Sequence, residues 1–189
     1  KRLKQICKQE KLDVCEEALA TIASKAKGGL RDAESLLDQV TAYKPSPTVE
    51  DVLQVTGAAP TEQVLSYLMA VADGNTATAI ECMNAIIASG IDPAVFLEQA
   101  LEMTHAILLH KTSTTQTATN STINDIAKKI TEETALYWFQ LLMAARRALR
   151  DGLPYVPILN VYTIKMIRGK DLAHVPQLLS LIKEPVEKV

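Results

Sequence analysis

The sequence predicts an all-α protein, and three observations favour that fold class. Apolar residues recur at the three- and four-residue intervals of a helix face along most of the 189 residues. No stretch alternates apolar and polar residues well enough to predict a strand. Glycine and proline are scarce, at 7 and 8 residues, and aromatic residues make up 4% of the chain. Alanine and leucine, which favour helices, dominate instead.

Composition also limits the kinds of function. The formal net charge is −2, so the chain lacks the basic excess with which modules that bind nucleic acid alone neutralise phosphates. Its three cysteines include no CxxC pair, which argues against a disulfide scaffold or a zinc module. No apolar run approaches the roughly 20 residues of a membrane span. We expect a cytoplasmic protein without a membrane partner, and a piece of a longer chain.

The first part of the chain carries three helical patterns. They cover residues 2–10, a stretch that Asp13 is expected to cap, and a stretch that begins at Leu30. Gly28-Gly29 separate the second helix from the third, because glycine adopts the left-handed backbone that ends helices.

Two prolines, Pro45 and Pro47, then interrupt the helical pattern and mark a domain boundary. We therefore expect a small domain at 1–44, a linker at 45–48 and a larger helical domain at 49–184. Helix starts in the second domain are expected at Thr48, Thr61, Asn75, Asp92-Pro93, Thr122 and Thr131. The Ser/Thr-rich stretch 112–122 predicts a mobile loop, residues 157–168 a helix, and 175–183 a last helix or tail.

Motifs for catalysis are missing from these residues. No GxxxxGK[ST] loop is present to hold nucleotide phosphates, and the serines and cysteines lack a recognisable base. His105 and His110 lie five residues apart, about 140° around a helix, so they do not face one metal ion. We expect no metal site and no enzymatic activity in this fragment alone.

One element suggests binding of an anion. Gly28-Gly29-Leu30-Arg31-Asp32 stands at a helix start, where free backbone N–H groups create a positive end. Arg31 is slightly unfavourable there for the helix, so it is a candidate for contacting an anion. The alternative is a surface arginine at a helical corner near Asp32 or Asp38.

Residues 28–39, Gly-Gly-Leu-Arg-Asp-Ala-Glu-Ser-Leu-Leu-Asp-Gln, resemble the sensor 2 segment of bacterial DNA polymerase III clamp-loader gamma/tau subunits, members of the AAA+ family. Residues 18–23 are similar to the lid domain of that family. Residues 90–98, 136–142 and 153–157 resemble parts of its collar domain, in the same order. The resemblance covers nearly the whole chain. It implies a three-helix AAA+ lid domain followed by a helical collar, or oligomerisation, domain.

The resemblance also implies a nucleotide site shared with an ATPase domain that these residues do not include. Arg31 would reach the ATP γ-phosphate as the sensor 2 arginine, beside Gly28 and Gly29. ATP with Mg²⁺ would belong to the full-length protein, and none is expected on this fragment. The sequence departs from the family at Gly29, where serine is usual, at Glu34, where leucine is usual, and at Asn160, where glutamate is common.

In this family the collar domains join gamma/tau copies, delta and delta prime into a ring that opens the sliding clamp and closes it on primed DNA. The full-length protein would be a DNA-dependent ATPase within a DNA polymerase (nucleotidyltransferase) holoenzyme. We expect at least one apolar helix face of the collar to be a subunit interface. The basic stretch of Arg146, Arg147 and Arg150 is either a solvated face or a contact for an acidic subunit.

Two other hypotheses stay open. One is a stand-alone helical adaptor that never meets ATP. The other is a small subunit of the replication-factor-C type, although those carry Arg-Arg-Ala where this chain has Arg31-Asp32-Ala33.

Overall fold

The computed structural model describes residues 2–26, 28–112 and 120–172, with side chains described as far as 169. The described part of the chain holds ten α-helices and no strand, which confirms the predicted all-α fold class. The helices are α1 (Arg2–Glu10), α2 (Glu16–Lys25), α3 (Leu30–Tyr43), α4 (Val49–Thr56), α5 (Thr61–Asp73), α6 (Thr76–Ala88), α7 (Pro93–Thr112), α8 (Ser121–Lys129), α9 (Glu132–Arg150) and α10 (Tyr155–Leu172).

Helices α1 to α4 form the first of two compact units, Lys1–Pro60. Helices α2, α3 and α4 all pack against one another, and α1 packs on α2. Their apolar stripes meet in one core, whose buried members are Leu3, Cys7, Ala18, Leu19, Ile22, Ala26, Ala33, Leu37, Val40 and Val52. The core forms because each helix repeats apolar residues at the spacing of one face.

Helix α4 lies in the first compact unit, although the expected boundary at 45–48 places it in the second domain. Helix α4 was assigned from the sequence to the second domain, but it packs on α2 and α3, and its Val52 is fully buried in their core. The compact units divide after Pro60, beyond α4. The proline segment interrupts the helical pattern without ending the packed unit, because α4 carries its own apolar face back onto α3.

The N-cap of α2 is Cys15, so the prediction of Asp13 was wrong. The Cys15 Sγ accepts a hydrogen bond from the Ala18 backbone N–H at 3.4 Å. The Asp13 carboxylate instead accepts a hydrogen bond at 3.0 Å from the Oγ of Ser46, which lies between Pro45 and Pro47. This contact between distant residues uses the Asp13 carboxylate that the sequence pattern had predicted as the N-cap of α2.

Helices α5 to α10 form the second unit, Thr61–Val189. Helix α9 packs along both α7 and α10, α5 packs against α6, and α8 lies on α5 and α7. The largest fully buried side chains of this unit are Leu65, Leu68, Met83, Ile86, Phe96, Leu97, Ile107, Ile126, Trp138 and Leu142. Burial of this apolar surface is the main stabilising term of the unit.

Most predicted helix starts of the second domain are confirmed by their hydrogen bonds. Thr48, Asn75 and Thr131 cap α4, α6 and α9, and Asp92 Oδ1 accepts from the Ala94 backbone N–H ahead of α7. Helix α8 is an exception, since its N-cap is Asn120 and not Thr122.

Helix α10 begins at Tyr155, so it is longer than the predicted 157–168. Pro157 is compatible with this because the first turn of a helix needs no intrahelical N–H donor. Residues 113–119 of the predicted loop, the predicted tail at 175–183 and the expected domain end at 184 lie outside the described residues. Among the described helices, none is long and apolar enough to cross a membrane.

Candidate functional site

The turn between α2 and α3 presents the sensor-like element. Gly28 has φ +89°, in the left-handed region that favours glycine, and an added Cβ would meet open space there. Gly28 is therefore required by conformation and not by packing. The Gly29 N–H donates to the Ala26 carbonyl at 2.8 Å, and the Gly29 carbonyl accepts from the Ala33 N–H at 3.0 Å, which starts α3.

Gly29 is the N-cap of α3 and offers no side-chain cap. A Cβ added to Gly29 would lie 2.5 Å from Asp32 Oδ2, so the Asp32 carboxylate occupies the space of the missing side chain. A negative group at the positive end of a helix is favourable. Asp32 was overlooked in this role from the sequence, although an acidic residue in the first turn of a helix is a recognisable signal.

Arg31 lies in the first turn of α3, and its side chain is exposed. Among the described residues it forms no ion pair, and in particular neither Asp32 nor Asp38 pairs with it. The contact that would make Arg31 a structural corner residue is thus not formed within the described part of the chain. Its guanidinium is available to an external anion.

The position of Arg31 is fixed because α3 is packed into the core along one face and bonded to α4 at its end. Its inner face buries Ala33, Leu37 and Val40. At its far end, Lys44 Nζ donates to Asp51 Oδ2 at 2.8 Å, and this oxygen also accepts from the Thr48 backbone N–H at 2.7 Å. We call Lys44, Thr48 and Asp51 the α3–α4 clasp.

The clasp has an electrostatic signature. The hydrogen bond from Lys44, followed by that from the Thr48 backbone, lowers the pKa of Asp51 from 3.8 to about 2. The same Asp51 contact raises the pKa of Lys44. Asp51 is 9% exposed, so this carboxylate stays charged because it is well paired.

Two further positions singled out in the sequence lie in the second unit. His105 lies beside the Phe139 ring, with centroids 6.4 Å apart, and the described residues hold no group of three or more potential metal ligands. The Oδ1 atom of Asn160, where the family commonly has glutamate, is buried without a hydrogen-bond partner in the described part of the chain.

Family comparisons agree with this architecture. Residues 1–44 match the model of the ATPase lid domain of the DNA polymerase III clamp-loader subunit, and residues 48–182 match that of domain III of DNA polymerase III subunits gamma and tau. The fold and the order of the two matches define a lid followed by a collar of the clamp-loader class. The chain belongs to the DNA polymerase III gamma/tau family.

Individual relatives include DNA polymerase III subunit tau of Bacillus subtilis, which is 37% identical over 113 residues, 59% of this chain and 20% of that protein. The chain also resembles Protein STICHEL of Arabidopsis thaliana, at 35% identity over 98 residues, 52% of this chain and 8% of that protein. The chain therefore spans about a fifth or less of the length of these two relatives.

A solved structure shares the fold. The Bacillus subtilis DNA clamp loader delta protein (YqeN) superimposes with a TM-score of 0.51 and 11% sequence identity. The match covers 87% of this chain and 54% of that chain. At this identity the likeness concerns the fold alone.

Proposed function

We propose that this chain is the lid and collar part of a clamp-loader subunit that uses ATP, with Mg²⁺, to open the sliding clamp and load it on primed DNA. The full-length protein would act as a DNA-dependent ATPase of the cytoplasmic DNA polymerase III holoenzyme. The observation that carries the proposal is the matching of both parts of the chain, in order, to clamp-loader domains.

Within this function, Arg31 is the sensor 2 residue that contacts the ATP γ-phosphate. An exposed guanidinium without a carboxylate partner among the described residues supports this role. Gly28 and Gly29 serve it by forming the tight turn that presents the start of α3. Asp32 already places a negative group at this helix end, so the phosphate contact rests on the guanidinium and not on the helix amides.

The contact with ATP would couple nucleotide occupancy to the lid. A charged hydrogen bond of this kind contributes about 1.5–3 kcal/mol. A ligand shifts a conformational equilibrium only by the interaction that differs between the states. Helix α3 connects Arg31 to the core and to the α3–α4 clasp. A hydrogen bond between the Arg31 guanidinium and the nucleotide would therefore act on the whole first unit.

The second unit would join the subunit to gamma/tau copies, delta and delta prime. The proposed functional division keeps residues 1–44 as the lid, 45–48 as the linker and 49–184 as the collar. Helix α4 is the first helix of this collar range, and it packs on the lid helices α2 and α3. The ATPase domain, the sliding clamp and primed DNA would be contacted by other parts of the complex.

Reconstitution tests the proposal. Full-length protein, mixed with delta and delta prime, is expected to load the sliding clamp on primed DNA only when ATP and Mg²⁺ are present. Loading is measured by clamp retention on the DNA. Assembly with the other subunits without any ATP-dependent loading would favour the adaptor hypothesis, and failure to assemble would contradict the proposal altogether.

A further inference from the structure

The second unit carries a groove of about 460 Å³ between α9 and α10. We call it the α9–α10 groove, and its lining residues are Tyr137 and Leu141 on α9 with Val161, Ile164, Lys165 and Arg168 on α10. These positions recur at intervals of three and four residues, so one face of each helix forms each wall. All six lining residues are at least partly exposed, so the described part of the chain does not bury this face.

The two cations leave the α9–α10 groove apolar. Lys165 Nζ lies 5.1 Å from the centroid of the Tyr162 ring, and Tyr162 is not among the lining residues. The charge of Lys165 is therefore directed to a ring outside the groove, and its aliphatic stem is the part that lines the wall. Arg168 is exposed, so its guanidinium can stay in water while its stem packs. The groove thus suits an apolar occupant without charges along the contact.

Gly169 holds the Tyr137 wall of the groove in place. A Cβ added at Gly169 would overlap the Tyr137 ring, so this ring lies directly against the backbone of α10. The φ of Gly169 is outside the left-handed region, which leaves the close approach as the reason for a glycine here. Packing within the unit therefore forms this wall without the help of a ligand.

An uncharged apolar segment follows α10 in the sequence. Helix α10 ends at Leu172, and residues 175–182 read Val-Pro-Gln-Leu-Leu-Ser-Leu-Ile. The match to gamma/tau domain III extends to residue 182, so it includes this whole segment. Four large apolar side chains among five successive residues are expected to be covered by apolar surface, because exposure to water is unfavourable for them.

The sequence of this segment also fits the length of the groove. A residue before proline is disfavoured in helical backbone, so α10 is not expected to continue through Val175, whereas Pro176 suits the first turn of a new helix. A helix from Pro176 to Ile182 would be about 10 Å long, as is the α10 wall from Val161 to Arg168. It would present its leucines and isoleucine within an arc of about 160°, on one face.

We propose that residues 176–182 bind in the α9–α10 groove of their own chain. Their leucine and isoleucine side chains fill the space between the apolar side chains of α9 and those of α10. The contact is the recognition of an apolar helix face by a groove, made within one chain.

The short connection to α10 favours this occupant over a separate molecule. Arg168, at one end of the groove, lies four residues before the end of α10, about one helical turn away. Residues 173–175 span about 10 Å when extended, which is close to the distance between the axes of packed helices. A tether of this length gives an effective concentration on the order of millimolar, so the segment competes well against a helix of another molecule.

Hydrogen exchange in the full-length protein, without other subunits, tests the docking. Val161→Ala removes two methyl groups from the groove wall, and the matched control is Val156→Ala, also on α10 but not a lining residue. The two valines are similarly exposed, at 48% and 44%. The amide exchange rates of residues 177–182 are measured by mass spectrometry for the wild type and both variants.

We expect the wild-type amides to exchange at least tenfold more slowly than those of a free peptide with the same sequence. Val161→Ala should speed their exchange by about 5- to 10-fold, because the docked segment loses an apolar contact. Val156→Ala should leave the exchange unchanged. Wild-type exchange at the rate of the free peptide, or exchange that Val161→Ala affects no more than Val156→Ala, would overturn the docking.

A photo-cross-linker at position 161 identifies the occupant directly, with and without the other clamp-loader subunits. A mixture of isotopically labelled and unlabelled full-length protein separates products within one chain from products between two copies. The expected product joins position 161 to residues 176–182 of the same chain under both conditions. A product with a second copy, with a different subunit or with another segment of the chain, or no product, overturns the proposal.

Discussion

Tyr67 and Thr163 form the clearest polar pair inside the second unit. Both are buried, and their hydroxyl oxygens lie 3.0 Å apart. Thr163 Oγ1 also donates its one hydrogen to the Leu159 carbonyl at 2.7 Å, so Tyr67 is the donor in the pair. Burial raises the pKa of Tyr67 to about 12, so its hydroxyl stays protonated at neutral pH.

Removing the two partners should have unequal effects. Tyr67→Phe loses one hydrogen bond and should lower the free energy of unfolding by about 1 kcal/mol, because Thr163 keeps its bond to Leu159. Thr163→Val leaves the Tyr67 hydroxyl with only Met166 Sδ, at 3.9 Å, and should cost about 1–3 kcal/mol. Urea unfolding of both variants gives the comparison. A larger loss for Tyr67→Phe than for Thr163→Val would contradict the assigned donor.

At single residues, the sequence predicted the helix start that carries Arg31 but not the side chains around it. Arg31 could be placed at a helix start because Gly28-Gly29 form a local stop signal that needs no tertiary information. The position of the Asp32 carboxylate beside Gly29 could not be predicted in the same way, because it depends on how the Asp32 side chain is oriented around the turn.

Among the elements, the α3–α4 clasp ties the end of one helix to the start of the next. Its stability contribution depends on an ionised Asp51, whose pKa is lowered from 3.8 to about 2 in the folded state. A carboxylate with a lowered pKa stabilises the fold above its unfolded pKa and loses this contribution as the pH falls through the folded value. The clasp should therefore weaken between about pH 4 and pH 2.

Asp51→Asn tests the clasp. At pH 7 the variant should melt at a lower temperature than the wild type, since Lys44 loses its charged partner. The difference should shrink as the pH falls below about 4 and disappear near pH 2. Asp38→Asn, at an exposed position of α3, controls for the loss of one negative charge. A difference in melting temperature that is constant from pH 7 to pH 2 would rule out the proposed pairing.

Helix caps show which parts of an element the sequence can predict. Thr48, Asn75 and Thr131 were predicted correctly because a side-chain oxygen and its N–H partner lie within three residues. Asp13 failed because Ser46, far along the chain, takes its carboxylate. The packing of α4 on the first unit and the meeting of α9 with α10 are likewise tertiary events, which periodicity alone does not specify.

For the whole molecule, we predict that the 189-residue chain alone hydrolyses no ATP. The sequence has no GxxxxGK[ST] loop to hold the phosphates, and Arg31 by itself offers one contact. Phosphate release is measured with purified chain, and full-length protein serves as the positive control. Turnover by the chain that persists through further purification and scales with its concentration would contradict this prediction.

We propose that Arg31 senses ATP for the clamp loader and does not hold the fold together. The most direct test measures ATP-dependent clamp loading by full-length Arg31→Ala and the thermal stability of the same variant of this chain. Lys8→Ala, an exposed cation on α1, is the control. We predict a loss of about 10- to 150-fold in loading, as expected for one charged hydrogen bond, with stability changed by no more than about 0.5 kcal/mol. Unimpaired loading by Arg31→Ala, or a fall in stability with loading per folded molecule retained, would contradict a sensor role for Arg31.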